Sequence, residues 1–418
     1  MKKVVVIISI LIVLLLSAEI INLSVDAKYK DKHKHKKGKK HMEEFEEVYD
    51  RIILNTGEDE ARDILEDGGY LFVLCGTNPA RIVRINISAF IRVDAITLLA
   101  ADGEGVCLAK YGQYLYVLCY PGLGNSARVV RVRLDTFKRV DSIVLGANEE
   151  IYDANLVGKL LTVVEIGLIP YLYVGVAQMS VAGQGGVARI NLNTFQETGI
   201  LWLGAGEDNT CAILAYGQYL YTAHFPGAPG QIVRVDLPSF TRLGAINIAA
   251  VCPEPHDLAA LGNYLYVSAY DGATNIGIAR INLLTFTLDS YAQIIGGYSD
   301  SYKIIIYRDK LYYGYSFAGP FTSPYRPARI VRFDLAKWPT YTDMIISESD
   351  APNGIFGLVG YGSYLYASIV SSPGHVLKIL IEKAAPPTVN GSKLLLVSSL
   401  MTRLRMLRRT KPLVPWTV

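Results

Sequence analysis

Short runs of alternating apolar and polar residues, bounded by Gly, Asn, Asp and Pro, fill the chain between about residues 48 and 382. This pattern predicts β-strands of four to eight residues. One aromatic strand pattern, GQYLYV in the copy that starts at Gly112, occurs seven times, and the leucines at the centre of successive copies are 44 to 57 residues apart. The leucines at its centre are Leu71, Leu115, Leu172, Leu220, Leu265, Leu311 and Leu365. A fixed period of this length indicates a repeat architecture.

A second strand pattern follows each aromatic strand, as in ARIVRINISAF from Ala80 and QIVRVDLPSF from Gln231. A short run such as RVDSIVL comes next, then a turn, then an apolar run such as CAILAYG that leads into the next aromatic strand. Each unit therefore has four predicted strands, called A (CAILAYG), B (YLYV), C (VRVDL) and D (SIVL). Seven such units predict an all-β, seven-bladed β-propeller of four-stranded antiparallel blades.

The two ends of the repeat array complement each other. The seventh unit has strands A, B and C but no D strand before Pro386, whereas the segment that starts at Met42 resembles the missing piece, with Phe45 in the place of the closing aromatic. A propeller is stable only when its last blade is bonded to its first. The sequence therefore predicts that a strand at Tyr49–Leu54 pairs with Val376–Ile381 and completes the seventh blade.

Two units are longer than the others. The third carries LVGKLLTVVEIGLIP at 156–170 before its aromatic strand, and the sixth carries SFAGPFTSPYRPA at 316–328 between strands B and C. Insertions in repeat proteins usually form surface loops on the working face. We expect the sixth-unit loop to expose Phe317, Phe321 and Tyr325; the alternative is a loop packed over its own blade.

The N-terminus predicts export. Lys2 and Lys3 precede an apolar run from Val4 to Leu16, which is typical of a signal peptide, and 25–27 offers a small-residue cleavage site; an uncleaved anchor is the alternative. The predicted organisation is a signal peptide or anchor at 1–27, a Lys/His-rich linker at 28–41, the propeller at 42–384 and a basic tail at 385–418. The linker and the tail are suited to peripheral contact with an anionic membrane surface or wall polymer.

Composition narrows the classes. The formal charge of +3 over 418 residues, with 51% hydrophobic residues, fits a globular protein and does not indicate a nucleic-acid partner. Five cysteines in an exported chain allow at most two internal disulfides. Cys107 and Cys119 fall on adjacent predicted strands of one unit and are the first pair to test; the alternative is that all five are small buried apolar residues.

Two charged positions recur. The turn between strand D and the next strand A carries an acidic residue in each unit, and this acidic ring is a candidate binding site for a cation or a basic partner. Its members are Glu58, Glu104, Glu149, Glu207, Glu254, Asp300 and Asp350. Each C strand carries a cation in one register, at Arg84, Arg131, Arg189, Arg234, Arg280, Arg332 and Lys378. We expect these cations to form structural interblade pairs with the turn carboxylates or with neighbours such as Asp236 and Asp334, because an enclosed charge needs a partner.

Candidate catalytic chemistry is sparse. His256, between Glu254 and Asp257, is the single acid/base candidate, and structural placement is the alternative. His224, His256 and His375 lie at different repeat positions and do not predict a metal site. No cofactor is predicted.

The repeat resembles that of exported YVTN/NHL-like propellers. The residues that carry the resemblance are 231–246 and 206–221, and the similarity covers about 42–382. The resemblance implies a propeller fold and a secreted or cell-surface setting. Members of this family are mostly of unassigned biochemical role, and propellers in general host many functions, so the resemblance does not predict a reaction.

Three functions follow as hypotheses. The first is a secreted or cell-surface scaffold that binds a protein, glycan or wall component through one face and its insertion loops. The second is a propeller enzyme, a lyase or hydrolase, with a site at the channel mouth near His256. The third is a structural subunit of a surface layer, which predicts apolar patches on the rim. The first is the hypothesis that the sequence favours.

Overall fold

Seven four-stranded antiparallel sheets form the described part of the chain. The computed structural model describes residues 48–381 except 152–157, 179–182, 226–229, 271–275, 295–301, 318–325 and 346–353. These residues fall within the compact unit Phe45–Val418. The prediction of a seven-bladed propeller with four strands per blade is confirmed.

The strands follow one order in every blade, with A and D at the two edges of each sheet. The described chain begins with β1 (Val48–Ile53). The first blade is β2 (Ala61–Asp67), β3 (Tyr70–Cys75), β4 (Arg81–Asn86) and β5 (Ile91–Thr97). The second is β6 (Glu104–Tyr111), β7 (Tyr114–Tyr120), β8 (Arg128–Arg133) and β9 (Lys138–Val144). The third is β10 (Leu161–Ile166), β11 (Ile169–Gln178), β12 (Gln184–Asn191) and β13 (Gln196–Trp202).

The remaining blades repeat this arrangement. The fourth is β14 (Thr210–Tyr216), β15 (Tyr219–His224), β16 (Gln231–Asp236) and β17 (Thr241–Asn247). The fifth is β18 (Glu254–Leu261), β19 (Tyr264–Tyr270), β20 (Ile276–Asn282) and β21 (Thr287–Ile294). The sixth is β22 (Tyr302–Tyr307), β23 (Lys310–Phe317), β24 (Arg326–Asp334) and β25 (Tyr341–Ile345). The seventh is β26 (Ile355–Tyr361), β27 (Tyr364–Ile369), β28 (His375–Leu380) and β1. Two single-turn 3-10 helices lie at Ala100–Asp102 and Leu335–Lys337.

The ring closes as the sequence predicts. β1 pairs antiparallel with β28, with Arg51 opposite Leu377 and Ile52 opposite Val376. Both strands begin one residue earlier than predicted. Phe45, the predicted closing aromatic, lies outside the described residues.

The B strands form the centre of each blade. The leucine at the centre of each aromatic motif is fully buried in all seven blades. Each A strand contacts the A strands of the neighbouring blades, so the A strands surround the central channel and the D strands form the outer rim. The A–B turns have two residues in every blade, and Gly112 and its equivalents take the positive φ that such hairpins require.

The two faces of the ring differ in their connections. The A–B and C–D connections lie on one face, here called the turn face. The A–B connections have two residues, and the C–D connections have four to six. The B–C and D–A connections lie on the opposite face, here called the loop face, and range from five residues (76–80) to sixteen (145–160). Uniform connections are therefore confined to the turn face, and variable ones to the loop face.

Candidate functional site

The C-strand cations lie between two aromatic rings. The Arg131 guanidinium is 4.7 Å from the ring centre of Tyr114 in its own blade and 4.5 Å from that of Phe195 in the next blade. The same arrangement holds at Arg84, Arg189, Arg234, Arg280 and Lys378. Cations are attracted to the faces of aromatic rings, and more strongly when water is excluded. These side chains therefore join neighbouring blades through their contacts with aromatic rings.

The carboxylate partners of these cations are not the predicted ones. Arg131 donates to Asp141 on its own D strand, at 2.9 and 2.6 Å. Arg84 pairs in the same way with Asp94, and Arg280 with Asp289. The expectation of turn carboxylates, or of Asp236 and Asp334, is wrong for these three, because an aspartate of the adjacent D strand is closer. That aspartate lies directly opposite Arg84 and Arg131, and next to the residue opposite Arg280. Asp236 accepts from Ser239, and Asp334 pairs with Lys310.

The turn carboxylates have arginine partners of their own. Glu58 is fully buried and accepts from Arg92 on the D strand β5, with Nε at 3.0 Å from Oε2. It also accepts from the backbone N–H of Asn55 at 2.9 Å. Burial alone would raise the pKa of Glu58, but Arg92 and this N–H hold it below its usual value. Glu207 is bonded in the same way to Arg242 and the Gly204 N–H, and its pKa is likewise lowered.

The acidic positions do not share one register. Asp102, not Glu104, takes the place of Glu58 in the second blade, where it is buried and accepts from Arg139 at 2.8 Å. Glu104 is the first residue of β6 and pairs with Arg62. Glu254 likewise opens β18. Asp300 and Asp350 lie outside the described residues. Glu58 and Glu207 are thus enclosed in ion pairs rather than presented to a ligand.

Charged side chains of the A strands converge on the central channel. At one level of the channel, the A strands of the first, fifth and sixth blades contribute Asp63, Asp257 and Lys303, respectively. A cavity of about 260 Å³ opens there and is also lined by Lys159. All three channel residues are nearly buried. The sequence analysis missed them, although a charge inside an otherwise apolar run, as in YKIIIY, was the available signal.

These channel charges neutralise one another. The Lys303 Nζ lies 3.7 Å from Asp257 Oδ2. Asp257 Oδ2 also accepts from the Ile304 N–H at 3.1 Å, and Asp63 Oδ2 accepts from the Leu108 N–H at 2.8 Å. Burial opposes the charge of Lys303, but Asp257 and Asp63 outweigh it and raise the pKa of the ammonium. The two aspartates therefore tie the A strands of adjacent blades together.

The long connection of the third blade enters this channel. Gly158 donates its N–H to the Cys211 carbonyl at 2.8 Å, and the Lys159 N–H lies 3.4 Å from Asp257 Oδ1. A Cβ at residue 158 would collide with the carbonyl oxygen of His256, so only glycine permits this approach. The prediction that 156–170 is a surface insertion is wrong, because Leu161–Ile166 is the A strand itself and 158–159 narrow the channel.

The His256 side chain, the single acid/base candidate, packs against the neighbouring fourth blade. The side chain is buried, and its ring centre lies 4.9 Å from that of Phe225 in the fourth blade. It does not line the channel cavity or the smaller cavity that is lined by Cys107, Lys303 and Phe356. The described residues also contain no group of three or more His, Cys, Asp or Glu side chains arranged to hold a metal ion.

The cysteines match the alternative in which they are buried apolar residues. All five are buried and carry free thiols. Cys107 lies opposite Leu118, and Cys119 opposite Gly105, on the paired strands β6 and β7. Burial raises the pKa of Cys107 to about 12. A neutral thiol of this kind is a poor nucleophile.

Comparison with known proteins identifies the fold and leaves the family open. No family model matches the chain, and no curated protein matches it. Among solved structures, it is similar to the Pan2 WD40 domain of Neurospora crassa, with a TM-score of 0.58 and 10% identity, over 81% of this chain and 98% of that one. It is also similar to the Cps50 (Swd1) β-propeller domain of Myceliophteria thermophila, with a TM-score of 0.54 and 12% identity, over 78% and 98%. BamB from Moraxella catarrhalis matches at a TM-score of 0.47 and 10% identity, over 78% and 84%.

These neighbours share the propeller architecture with this chain. Identities of 10 to 12% support the fold and not a shared activity. Within the described residues, no helix is long and apolar enough to cross a membrane.

Proposed function

We propose that this protein is a non-enzymatic interaction scaffold, exported to the cell surface or secreted, that binds a protein, glycan or wall component through its loop face. The N-terminal apolar run and the resemblance to exported YVTN/NHL-like repeats support the setting. The segments 28–41 and 385–418, which lie outside the described residues, are proposed to contact an anionic envelope surface.

The difference between the two faces carries this proposal. Repeated ring contacts and buried ion pairs hold the blades rigidly, while the connections of the loop face vary in length from blade to blade. Variable loops on a rigid frame are the usual design of a binding surface. The channel, by contrast, holds ion pairs that stabilise the ring.

Exposed leucines provide the test. Leu99 and Leu123 are exposed on the loop face, and Leu168 and Leu284 are exposed on the turn face. The full chain is screened on immobilised glycans, wall polymers and surface proteins, and each hit is then measured with two double variants. We expect L99S/L123S to weaken binding at least tenfold and the matched control L168S/L284S to leave it unchanged. Equal effects of the two variants, or no saturable hit in the screen, would count against the proposal.

A structural subunit of a surface layer is the second candidate, because the rim is apolar. The D strands β5 and β9 expose Ile91, Val93, Val140 and Val144 on the outer edge of the ring. Exposed apolar side chains on a sheet edge favour lateral association. Sedimentation velocity from low to high micromolar concentration separates the two functions: a scaffold stays at one mass, whereas a layer subunit forms open-ended assemblies that V93K/V140K abolishes.

A further inference from the structure

Among the described residues, an ion pair between a D–A turn and the following D strand occurs in three blades with one geometry. Its acidic members are Glu58, Asp102 and Glu207, and their partners are Arg92, Arg139 and Arg242. These arginines occupy one register, because each lies one residue beyond the bulge of its D strand. A guanidinium thus fills the space beside each of these carboxylates.

The third blade breaks this rule. The turn residue is Glu149, and the D-strand residue in the arginine register is Glu197. A second donor position, at the start of the C strand, is Arg81, Arg128 or Gln231 in the other three blades. In the third blade it is Gly186, which the Trp202 ring covers. The D-strand position and the C-strand position that supply hydrogen-bond donors in the other three blades therefore supply no side-chain donor in the third blade.

The two carboxylates are left facing each other. Glu149 is 3% exposed, and its Oε2 has no hydrogen-bond partner among the described residues. The Gly146 N–H donates to Glu197 Oε2 at 3.0 Å and also interacts with the Glu149 carboxylate, so the two carboxylates share one donor. In the fourth blade the equivalent N–H, that of Gly204, donates to the turn carboxylate Glu207. Burial, followed by the charge of Glu197, raises the pKa of Glu149 to about 7. Two close carboxylates in such a place need a compensating positive charge.

We propose that the third blade binds a hard divalent cation, Mg²⁺ or Ca²⁺, between Glu149 and Glu197, in the place that an arginine guanidinium takes in three other blades. A single proton would leave one negative charge on the pair, whereas a divalent ion neutralises both carboxylates. Carboxylate oxygens are the ligands that these ions prefer, and Mg²⁺ commonly keeps several waters beside one or two carboxylates. Glu197 is only partly buried, so water can complete the shell.

A cation between Glu149 and Glu197 would join two elements of the third blade. Glu149 belongs to the connection 145–160, which goes on to place Gly158 and Lys159 in the channel. Glu197 belongs to the outer strand of the third blade. A bound cation therefore fixes the start of the longest loop-face connection to the rim of its blade.

The test uses the full chain freed of metal and measures thermal unfolding at pH 7. Mg²⁺, Ca²⁺ and Mn²⁺ are added separately, with NaCl at equal ionic strength as the reference. A ligand that binds only the folded state raises the unfolding midpoint in a saturable way, and we expect a rise of at least about 2 °C. Isothermal titration should give one ion per chain.

The variant Glu197→Arg restores the ion pair of the other blades. Without added metal, we expect this variant to have the same unfolding midpoint as the metal-loaded unchanged chain. We expect no ion to shift that midpoint further. Glu197→Gln is a second variant, for which we expect at least tenfold weaker metal binding. Glu165→Arg, an exposed change of the same charge in the same blade, should respond to metal as the unchanged chain does.

The proposal is overturned if no divalent ion shifts the midpoint at pH 7 and stability instead follows only the pH, which would show a shared proton. It is also overturned if Glu197→Arg and Glu197→Gln still respond to metal. These outcomes do not depend on the loop-face binding screen, so failure of one proposal is distinguishable from failure of the other.

Discussion

A cation held between rings of two blades explains why one side chain recurs through the repeat. The aromatic that closes the C–D turn in the first five blades, such as Phe195, adopts a positive φ, which costs about 1 kcal/mol in a non-glycine residue. That conformation places the ring against Arg131 and Tyr116 of the preceding blade. Burial of the ring and its attraction to the cation offset the backbone cost.

Replacement of Arg131 by Met tests this contact. The change removes the cation between two rings and leaves Asp141 without its partner, so we expect the free energy of unfolding to fall by about 1–2 kcal/mol. Urea denaturation followed by tyrosine fluorescence measures the effect. Arg133→Met, two residues along the same strand at an exposed ion pair with Asp135, is the matched control and should cost less than about 0.5 kcal/mol. Equal losses would contradict the interblade role.

A buried histidine makes stability depend on pH. Burial lowers the pKa of His224 to about 4, from about 6.5 in the unfolded chain, although Glu207 acts in the opposite direction. Above pH 6.5 the imidazole is neutral in both the folded and the unfolded chain, so the free energy of unfolding is at its full value with respect to this group. It falls between pH 6.5 and 4, where only the unfolded chain binds the proton, and about 3 kcal/mol is lost across that window.

Urea midpoints at pH 7, 6, 5 and 4 measure this loss. We expect His224→Gln to flatten the profile between pH 6.5 and 4. A profile that keeps the slope of the unchanged protein would show that other groups cause it.

The sequence could predict residues whose role repeats and could not predict those that occur once. Leu71 and its equivalents were found because the same side chain is buried in every blade. Lys303 and Asp257 were missed because the equivalent channel position is a cysteine, leucine, alanine or glycine in other blades, and no period marks a pair that spans two units. Arg92 was missed because its D-strand register holds Glu197 or Leu288 in other blades, so no period marks it as a partner for Glu58.

At the scale of elements, the ring depends on one strand pair whose members are far apart in sequence. β1 supplies the D strand of the seventh blade, and its removal leaves the edge of β28 unpaired. An open edge both loses the interblade packing and favours aggregation.

Two truncations separate this effect from that of the leading segment. We expect removal of residues 1–53 to lower the thermal midpoint by at least about 10 °C and to produce soluble aggregates in size-exclusion chromatography. Removal of residues 1–41, which retains β1, should leave the thermal midpoint unchanged and produce no aggregates. A monomer of unchanged midpoint after the longer truncation would show that β1 does not hold the ring together.

At the scale of the whole molecule, the charged channel acts as a structural hub. Lys303 joins the sixth blade to Asp257 of the fifth, and the Asp257 side chain also accepts from the backbone of β22 and lies against Lys159 of the third. A buried charge that loses its partner is costly, because the remaining charge stays desolvated.

Lys303→Met should therefore destabilise the ring by about 3–5 kcal/mol. Lys310→Met, which removes the more exposed pair with Asp334, is the matched control and should cost at most about 1 kcal/mol. Differential scanning calorimetry measures both. If the two variants lost the same stability, the channel pair would contribute no more than a surface one.

Ring closure through β1 also sets an order of events during synthesis. The strand that emerges first finds its partner only when the strand at His375–Leu380, the last one described, is available, so the nascent chain carries an unsatisfied β-edge for nearly its whole length. Blades one to six can form as neighbours along the chain, but the circle cannot lock before translation has passed residue 380.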